Sequence, residues 1–187
     1  MREPFLMLIS RPTKVVEALF QILREAGLDL RLGDRPFDRM NWHQSFSERH
    51  PNTADELERL LDVGSRIVAP SFDIVVDSIV SKPGERTDWR FETSEGKTPG
   101  FIRVRDTIRT AFERVEGIVD PVRHSPHITF CYGASAHIRK IEFPAIAWLV
   151  DRIELVRRMD APYRYDTIAT WDLLPPTHRA ATQTALF

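Results

Sequence analysis

The sequence predicts an α+β protein of two pseudosymmetric lobes, each an antiparallel sheet with helices packed outside it, around a central groove. Three observations predict this. A strand–helix–strand unit occurs twice, each unit ends in a strand whose histidine and hydroxyl residue share a face, and the two units are offset by 84 residues. The first unit is the Phe5 strand, a helix over 15–26 and the His43 strand. The second is the Trp89 strand, a helix over 101–115 and the His127 strand. Phe5 precedes His43 by 38 positions, as Trp89 precedes His127.

Each element has a local reason. Phe5-Leu6-Met7-Leu8-Ile9 is a continuous apolar run, the mark of a strand buried on both faces. Ser10, Pro12 and Thr13 supply helix-start chemistry, Val15/Val16, Leu19, Ile22/Leu23 and Ala26 recur at helical spacing, and Gly27 stops the helix. A polar connection over 28–40 leads to a strand over 42–48. Thr53 and Glu56 are placed as a capping box for a second helix whose stripe is Leu57, Leu60/Leu61 and Ile67/Val68. A strand over 72–80 and the turn signal Lys82-Pro83-Gly84 follow, then a polar strand over 86–93 and a flexible loop over 96–100. The third helix places Phe101, Val104, Ile108, Ala111/Phe112 and Val115 on one side. After the His127 strand comes a short segment ending near Pro144, then strands over 148–157 and 163–173. One bilobal domain, its lobes interleaved in sequence, is expected over 1–174, with a polar tail over 175–187.

Composition narrows the class. The 187 residues suffice for one large domain, with 42% hydrophobic and 28% charged content. Lys+Arg 26 against Asp+Glu 27 gives net charge −1, so no overall basic footprint suggests duplex DNA as a partner. The single Cys131 excludes an intrachain disulfide and a Cys-based zinc site and suits a reducing compartment. The 5–9 run is too short for a membrane span and lacks a cleavage pattern, so a cytoplasmic protein without membrane association is expected.

The chemistry lies in Pro126-His127-Ile128-Thr129-Phe130-Cys131-Tyr132 and Trp42-His43-Gln44-Ser45-Phe46. Alternation sends His127, Thr129 and Cys131 to one face, and Ile128, Phe130 and Tyr132 to the other. If His43 and His127 flank one groove, imidazoles titrating near about 6.5 can supply an acid and a base without a metal. Displacement at phosphorus needs that pair in line, each transfer contributing about 10²–10⁴-fold. Ser45 and Thr129, two residues along, could donate to non-bridging phosphate oxygens.

These motifs resemble the two-histidine phosphoesterase superfamily, whose mark is two His-x-Thr/Ser-hydrophobic motifs on pseudosymmetric lobes. Within it the chain is most similar to the RNA 2′,3′-cyclic phosphodiesterases, also called 2′–5′ RNA ligases. The likeness covers roughly 5–174, including Tyr163 to Leu173 as the closing strand. It implies hydrolysis of a 2′,3′-cyclic phosphate to a 2′-phosphate, with no cofactor and no metal. His127 would be the base, His43 the acid, and Ser45 and Thr129 the phosphate ligands. The implied partner is a cyclic-phosphate nucleotide or RNA 3′ end, bound by a monomer. Ser45 stands where Thr is usual, and Tyr132 where ligase-type members often carry Arg. Arg49, on the His43 face if that strand continues, could supply the cation instead.

Other groups have plainer readings. His124 and His127 are three apart, but Pro126 breaks any helical spacing and no carboxylate cluster completes a metal site. Cys131 reads as a packing residue, Trp42, Trp148 and Trp171 as core, and His50, His137 and His178 as solvated surface groups. Trp89 reads first as a core residue, with stacking of a nucleobase, as a possible substrate contact, as the alternative. Lys82, Arg86, Arg90 and Lys97 could steer an anion. The rival functions are a non-catalytic nucleotide- or RNA-end-binding module, and RNA ligation, the same chemistry reversed.

Overall fold

The computed structural model describes residues 3–32, 38–82, 87–134, 136–160 and 163–176. The expected Pro83-Gly84 turn, Arg86, His178 and nearly all of the tail lie outside them. Among the described residues, two antiparallel sheets and three α-helices make up the fold. In the first sheet β1 (Phe5–Ser10) is central. On one side it pairs with two short strands, β2 (Gln44–Ser45) and β3 (His50–Pro51), and on the other with β8 (Arg152–Asp160), which β9 (Tyr163–Asp172) flanks. The second sheet has the order β6 (His127–Ala134), β5 (Thr87–Glu92), β4 (Phe72–Lys82), β7 (Ile141–Val150). The α+β class and two-lobed plan therefore match the expectation. Both sheets follow one scheme: motif strand at the edge, its antiparallel upstream partner next, then two more strands.

The register refines the repeat. Gln44 faces Ser10 and Ile128 faces Phe91, so the upstream strands correspond at an offset three residues shorter than the motifs do. Phe5 pairs with Pro51, whereas Trp89 pairs with Cys131, so Phe5 and Trp89 are not equivalent positions.

Helix α1 (Val16–Glu25) buries Leu19 and Leu23, and Gly27 at φ +63 ends it in the left-handed region that glycine adopts without Cβ strain. Helix α2 (Ala54–Ser65) starts at Thr53, whose hydroxyl accepts from Glu56 N at 3.2 Å. Only this half of the expected capping box forms its bond as drawn, because the Glu56 carboxylate turns to His50 and Arg59. Helix α3 (Pro99–Glu113) opens on Thr98, which accepts from Phe101 N, with Pro99 in the first turn where a missing N–H costs nothing.

Between the sheets, Trp42 meets Phe20, Phe91 and Phe130 at ring separations of 6.5, 5.6 and 6.1 Å. Trp42, Phe91 and Phe130 are fully buried and each contributes roughly 1.5–3 kcal/mol relative to exposure, while Phe20 is half-buried. Trp42 and Trp148 are core as expected, and Trp171 packs flat on Gly64, where a Cβ would collide with its ring.

Three strands depart from expectation. The strand over 42–48 is interrupted after Ser45: the Ser47 hydroxyl takes the place of a main-chain acceptor for Leu8 N (2.8 Å) and itself donates to Glu48 O. Pro144 does not end a segment. Strand β7 runs through it, as an edge strand that can spare one N–H, with a register shift opposite Val76–Ser78. The strand over 148–157 is two strands, since the chain passes from the second sheet to the first at Asp151. No described helix is long and apolar enough to cross a membrane.

Candidate active site

A cleft of about 510 Å³ lies between the motif strands. His43, Ser45, Ser47 and Arg49 line one wall, and His127, Thr129 and Tyr132 line the other. Alternation explains the first set: Gln44 and Phe46 point into the protein at 0% and 1% exposure. Arg49 reaches the cleft although no regular strand carries it there, its guanidinium 4.8 Å from the centre of the Phe5 ring.

The second wall corrects the alternation. Thr129 pairs with Arg90 but Cys131 pairs with Trp89, so Phe130 is an extra residue, a β-bulge. Phe130 and Cys131 both turn to the core, and Tyr132, opposite Asp88, swings to the cleft. Cys131 therefore does not share the His127 face, and Tyr132 does. Burial raises the Cys131 thiol, and the nearby Asp88 charge raises it further, so the group is a packing residue. Trp89 is not a cleft residue either. It is fully buried and its indole N–H donates to Ala136 O at 3.0 Å, so it packs in the core.

The two histidines are held alike. His43 Nδ1 lies 2.6 Å from Asn41 O, and His127 Nδ1 lies 2.8 Å from Ser125 O. A carbonyl only accepts, so in each ring Nδ1 carries the hydrogen and Nε2 is the bare nitrogen when the ring is neutral. Both rings favour that neutral state. Desolvation lowers the His43 pKa to about 4; the Asn41 carbonyl opposes this, and the charges of Arg11, His127 and Arg49 add to it. Desolvation likewise lowers His127 to about 4, opposed by the Ser125 carbonyl and reinforced by Arg90 and His124. An anion entering beside either ring would stabilise its protonated form.

Hydroxyls and cations complete the cleft. Among the described residues Ser45 Oγ meets only a weak acceptor, Met7 Sδ at 3.8 Å, which a phosphate oxygen can replace. Thr129 is 5% exposed and stands beside Arg90 in the β5–β6 register. Arg90 is thus a wall residue, and more than a steering charge; its location follows from that register and not from any motif.

Several supports were not legible beforehand. Asn41 clasps β9, its Oδ1 accepting from Tyr165 N (3.1 Å) and its Nδ2 donating to Tyr163 O (3.3 Å). Tyr165 then sets its ring edge against His43 at 5.0 Å. Arg11, just past β1, donates to Glu154 at 2.7 Å and to Tyr165 O at 2.8 Å, fixing the same corner.

On the other side, Asp120 organises the approach to His127. One carboxylate oxygen accepts from Val122 N (2.7 Å) and the other from Glu48 N (2.6 Å). Val122 is held at φ +42, a conformation costing a β-branched residue about 1–3 kcal/mol. His50 bridges Asp120 (3.0 Å) and Glu56 (2.8 Å) and stacks on Phe112. It is 5% exposed, which corrects the reading of a solvated surface group. Burial alone would lower its pKa, but hydrogen bonds to Asp120 and Glu56 outweigh this and raise it. His137 is exposed, as expected, with Ser81 Oγ 3.0 Å from Nδ1.

Neither a protein-family model nor a curated protein sequence matches the chain. Solved structures do. A phosphoesterase superposes with a TM-score of 0.71 at 20% identity, over 92% of this chain and 99% of its own. Escherichia coli LigT in complex with 3′-AMP gives 0.69 at 18%, over 92% and 99%. The TT0787 protein of Thermus thermophilus gives 0.67 at 20%, over 93% and 100%. LigT has also been solved with phosphate, NADP+ and ATP. The resemblance drawn from the two histidine motifs holds at the level of the fold: this chain has the two-lobed fold of LigT and its structural neighbours.

Proposed function

We propose that the chain is a metal-independent cyclic phosphodiesterase that opens a 2′,3′-cyclic phosphate, on a nucleotide or an RNA 3′ end, to a 2′-phosphate. The observation that carries this reading is the paired histidine geometry. Each Nδ1 is spent on the carbonyl two residues upstream, so each Nε2 is the nitrogen left for chemistry in one shared cleft.

The reaction balances with these groups alone. Neutral His127 Nε2 takes a proton from water as the water oxygen bonds to phosphorus. The bond from phosphorus to the 3′-oxygen breaks, and that oxygen takes the proton from Nε2 of protonated His43. The products are a 2′-phosphate, a 3′-hydroxyl, protonated His127 and neutral His43; proton exchange with water resets the pair. The proton that His43 needs is favoured by the incoming phosphate, whose charge offsets the desolvation and the arginine field. In this reading Ser45, Thr129, Arg49 and Arg90, all lining the cleft, take the non-bridging oxygens, and Tyr132 contacts the substrate at the rim. LigT structures holding 3′-AMP and phosphate support a nucleotide phosphate as the ligand class. The working unit we propose is one bilobal domain over 1–174, acting as a cytoplasmic monomer.

The test is turnover of 2′,3′-cyclic mononucleotides in EDTA, with the product identified by phosphorus NMR. A 2′-phosphate that disappears in both His43→Ala and His127→Ala is expected. EDTA-sensitive turnover, saturable binding without turnover, or a fully active His127→Ala variant would each overturn the proposal.

A further inference from the structure

We infer that Gln44 is a positioning residue that sets His127 from the opposite lobe; the inference rests on the cyclic phosphodiesterase reading of the site. Gln44 lies between His43 and Ser45, so alternation turns it away from the cleft, and it is fully buried. Its place in the second motif is taken by Ile128, which is apolar and buried at 1% exposure. A polar amide at a core position must satisfy its donors and acceptor or bear an uncompensated loss of hydration. Gln44 satisfies all of them at the junction of the two motifs. Its Nε2 donates to Ser45 O at 2.7 Å and to Ser125 O at 3.1 Å, and its Oε1 accepts from His127 N at 2.7 Å.

Two of those bonds grip the machinery of the other lobe. Ser125 O is the same carbonyl that accepts from His127 Nδ1. Gln44 therefore holds both ends of the Ser125–Pro126–His127 turn, the carbonyl that orients the imidazole and the N–H that anchors its backbone. The bond to Ser45 O ties this grip to the strand carrying the first hydroxyl. The two motifs belong to different sheets, so no strand ladder sets their spacing. Beside the Glu48 N–Asp120 bond upstream of the turn, Gln44 ties the motifs themselves together with directional bonds. The tie is one-sided: the first motif positions the second, and Ile128 offers nothing in return.

The test uses Gln44→Met, of similar length without the amide, with Gln44→Glu as a second variant that keeps the acceptor and loses both donors. Two readouts are taken on full-length protein: kcat and KM for 2′,3′-cyclic mononucleotide, and histidine side-chain 15N chemical shifts. A misplacement near 1 Å lowers kcat by about 10²-fold. That loss is expected with KM little changed, together with loss of the donor-type Nδ1 shift of His127 while that of His43 persists. An unchanged His127 Nδ1 shift overturns the inference whatever happens to turnover. So does loss of both rings' shifts together, which marks general loosening, or a changed shift with wild-type kcat. Should wild-type protein turn over no cyclic nucleotide, the proposed function fails, and the nitrogen shifts alone decide the role of Gln44. If Gln44→Met does not fold, Gln44→Glu is read by the same rules.

Discussion

The His43 half and the His127 half of the cleft reach one geometry by different routes. Each imidazole donates from Nδ1 to the carbonyl two residues upstream. Yet His127 opens an eight-residue strand, whereas His43 stands before a two-residue one. The long strand is aimed by a bulge at Phe130 and approached through the strained Val122. The short one is held by side chains: Asn41 on β9, and Ser47 in place of a main-chain acceptor. The pseudosymmetry is therefore chemical at the rings and lost one layer behind them. What both halves share is what proton transfer requires, a fixed tautomer with Nε2 in the cleft.

The sharpest way to break the comparison is to remove one ring at a time. His127→Ala and His43→Ala are each expected to lower kcat by about 10²–10⁴-fold on cyclic nucleotides. The halves then part on a phosphodiester with a p-nitrophenolate leaving group, which departs without a proton. His43→Ala should recover most of its activity there, and His127→Ala should not. Equal recovery would reverse or erase the acid and base assignments.

Thr129→Val and Ser45→Ala test the hydroxyls. Losing one preorganised donor costs roughly 3 kcal/mol, about 10²-fold in kcat. Thr129→Val is expected to be the more damaging, because Thr129 is the more buried and stands beside Arg90. A larger effect at Ser45 would place the transferring phosphate nearer the His43 wall.

Asn41→Ala tests the support peculiar to the His43 side. It removes two hydrogen bonds to β9, each worth about 1 kcal/mol, so a loss near 2 kcal/mol should appear in the urea midpoint. The kinetic defect should match that of the acid: large on cyclic nucleotides and small on the p-nitrophenyl ester.

The mildest probe is pH. Both groove histidines have pKa values lowered to about 4, so the free enzyme loses the required proton as pH rises past that value. The alkaline limb of kcat/KM should therefore lie well below about 6.5, the ordinary imidazole value. In the substrate complex the phosphate charge raises the limb, so the kcat profile should sit at higher pH. A kcat/KM limb at or above the kcat limb would contradict this. Stability carries the opposite sign at His50. Its raised pKa makes its contribution complete below about 6.5 and lost as pH rises through the folded value, whereas His43 and His127 favour the fold less as pH falls from about 6.5 toward 4.

The site was legible where chemistry follows the strand period and illegible where register or distant partners decide. His43, Ser45, His127 and Thr129 fall on their faces by alternation alone, and the spacing of two like units pointed to one shared groove. Tyr132 and Cys131 exchange faces because a bulge adds one residue without leaving a composition signal. Arg90 could be noticed as a charge, but only its pairing with Thr129 makes it part of the wall. His50 looked like a surface group because its partners, Glu56 and Asp120, are gathered by α2 and by the approach to β6. Trp89 reads as core or as a stacking ring on a strand with charged neighbours, and its burial decides for the core. Gln44 is silent in the sequence for a similar reason: nothing about an amide between His43 and Ser45 shows its burial or its partners until the second lobe is set against it.

The order of strands in the first sheet also dictates when the cleft can exist during folding. The strands of the second sheet all lie within 72–150, its longest pairing being Phe72 with Val150, while β1 must wait for β8, where Leu8 meets Leu155. Contacts so far apart in sequence form late and slowly. On a ribosome the His127 wall can be assembled while β1, with its apolar run, still lacks its inner neighbour, a state in which an unpaired strand invites misassociation. Pulse-labelled refolding should protect amides of β4 to β6 before those of β1, and simultaneous protection would show that the two lobes form as one cooperative unit. On that schedule the two-walled cleft is the last feature this chain completes.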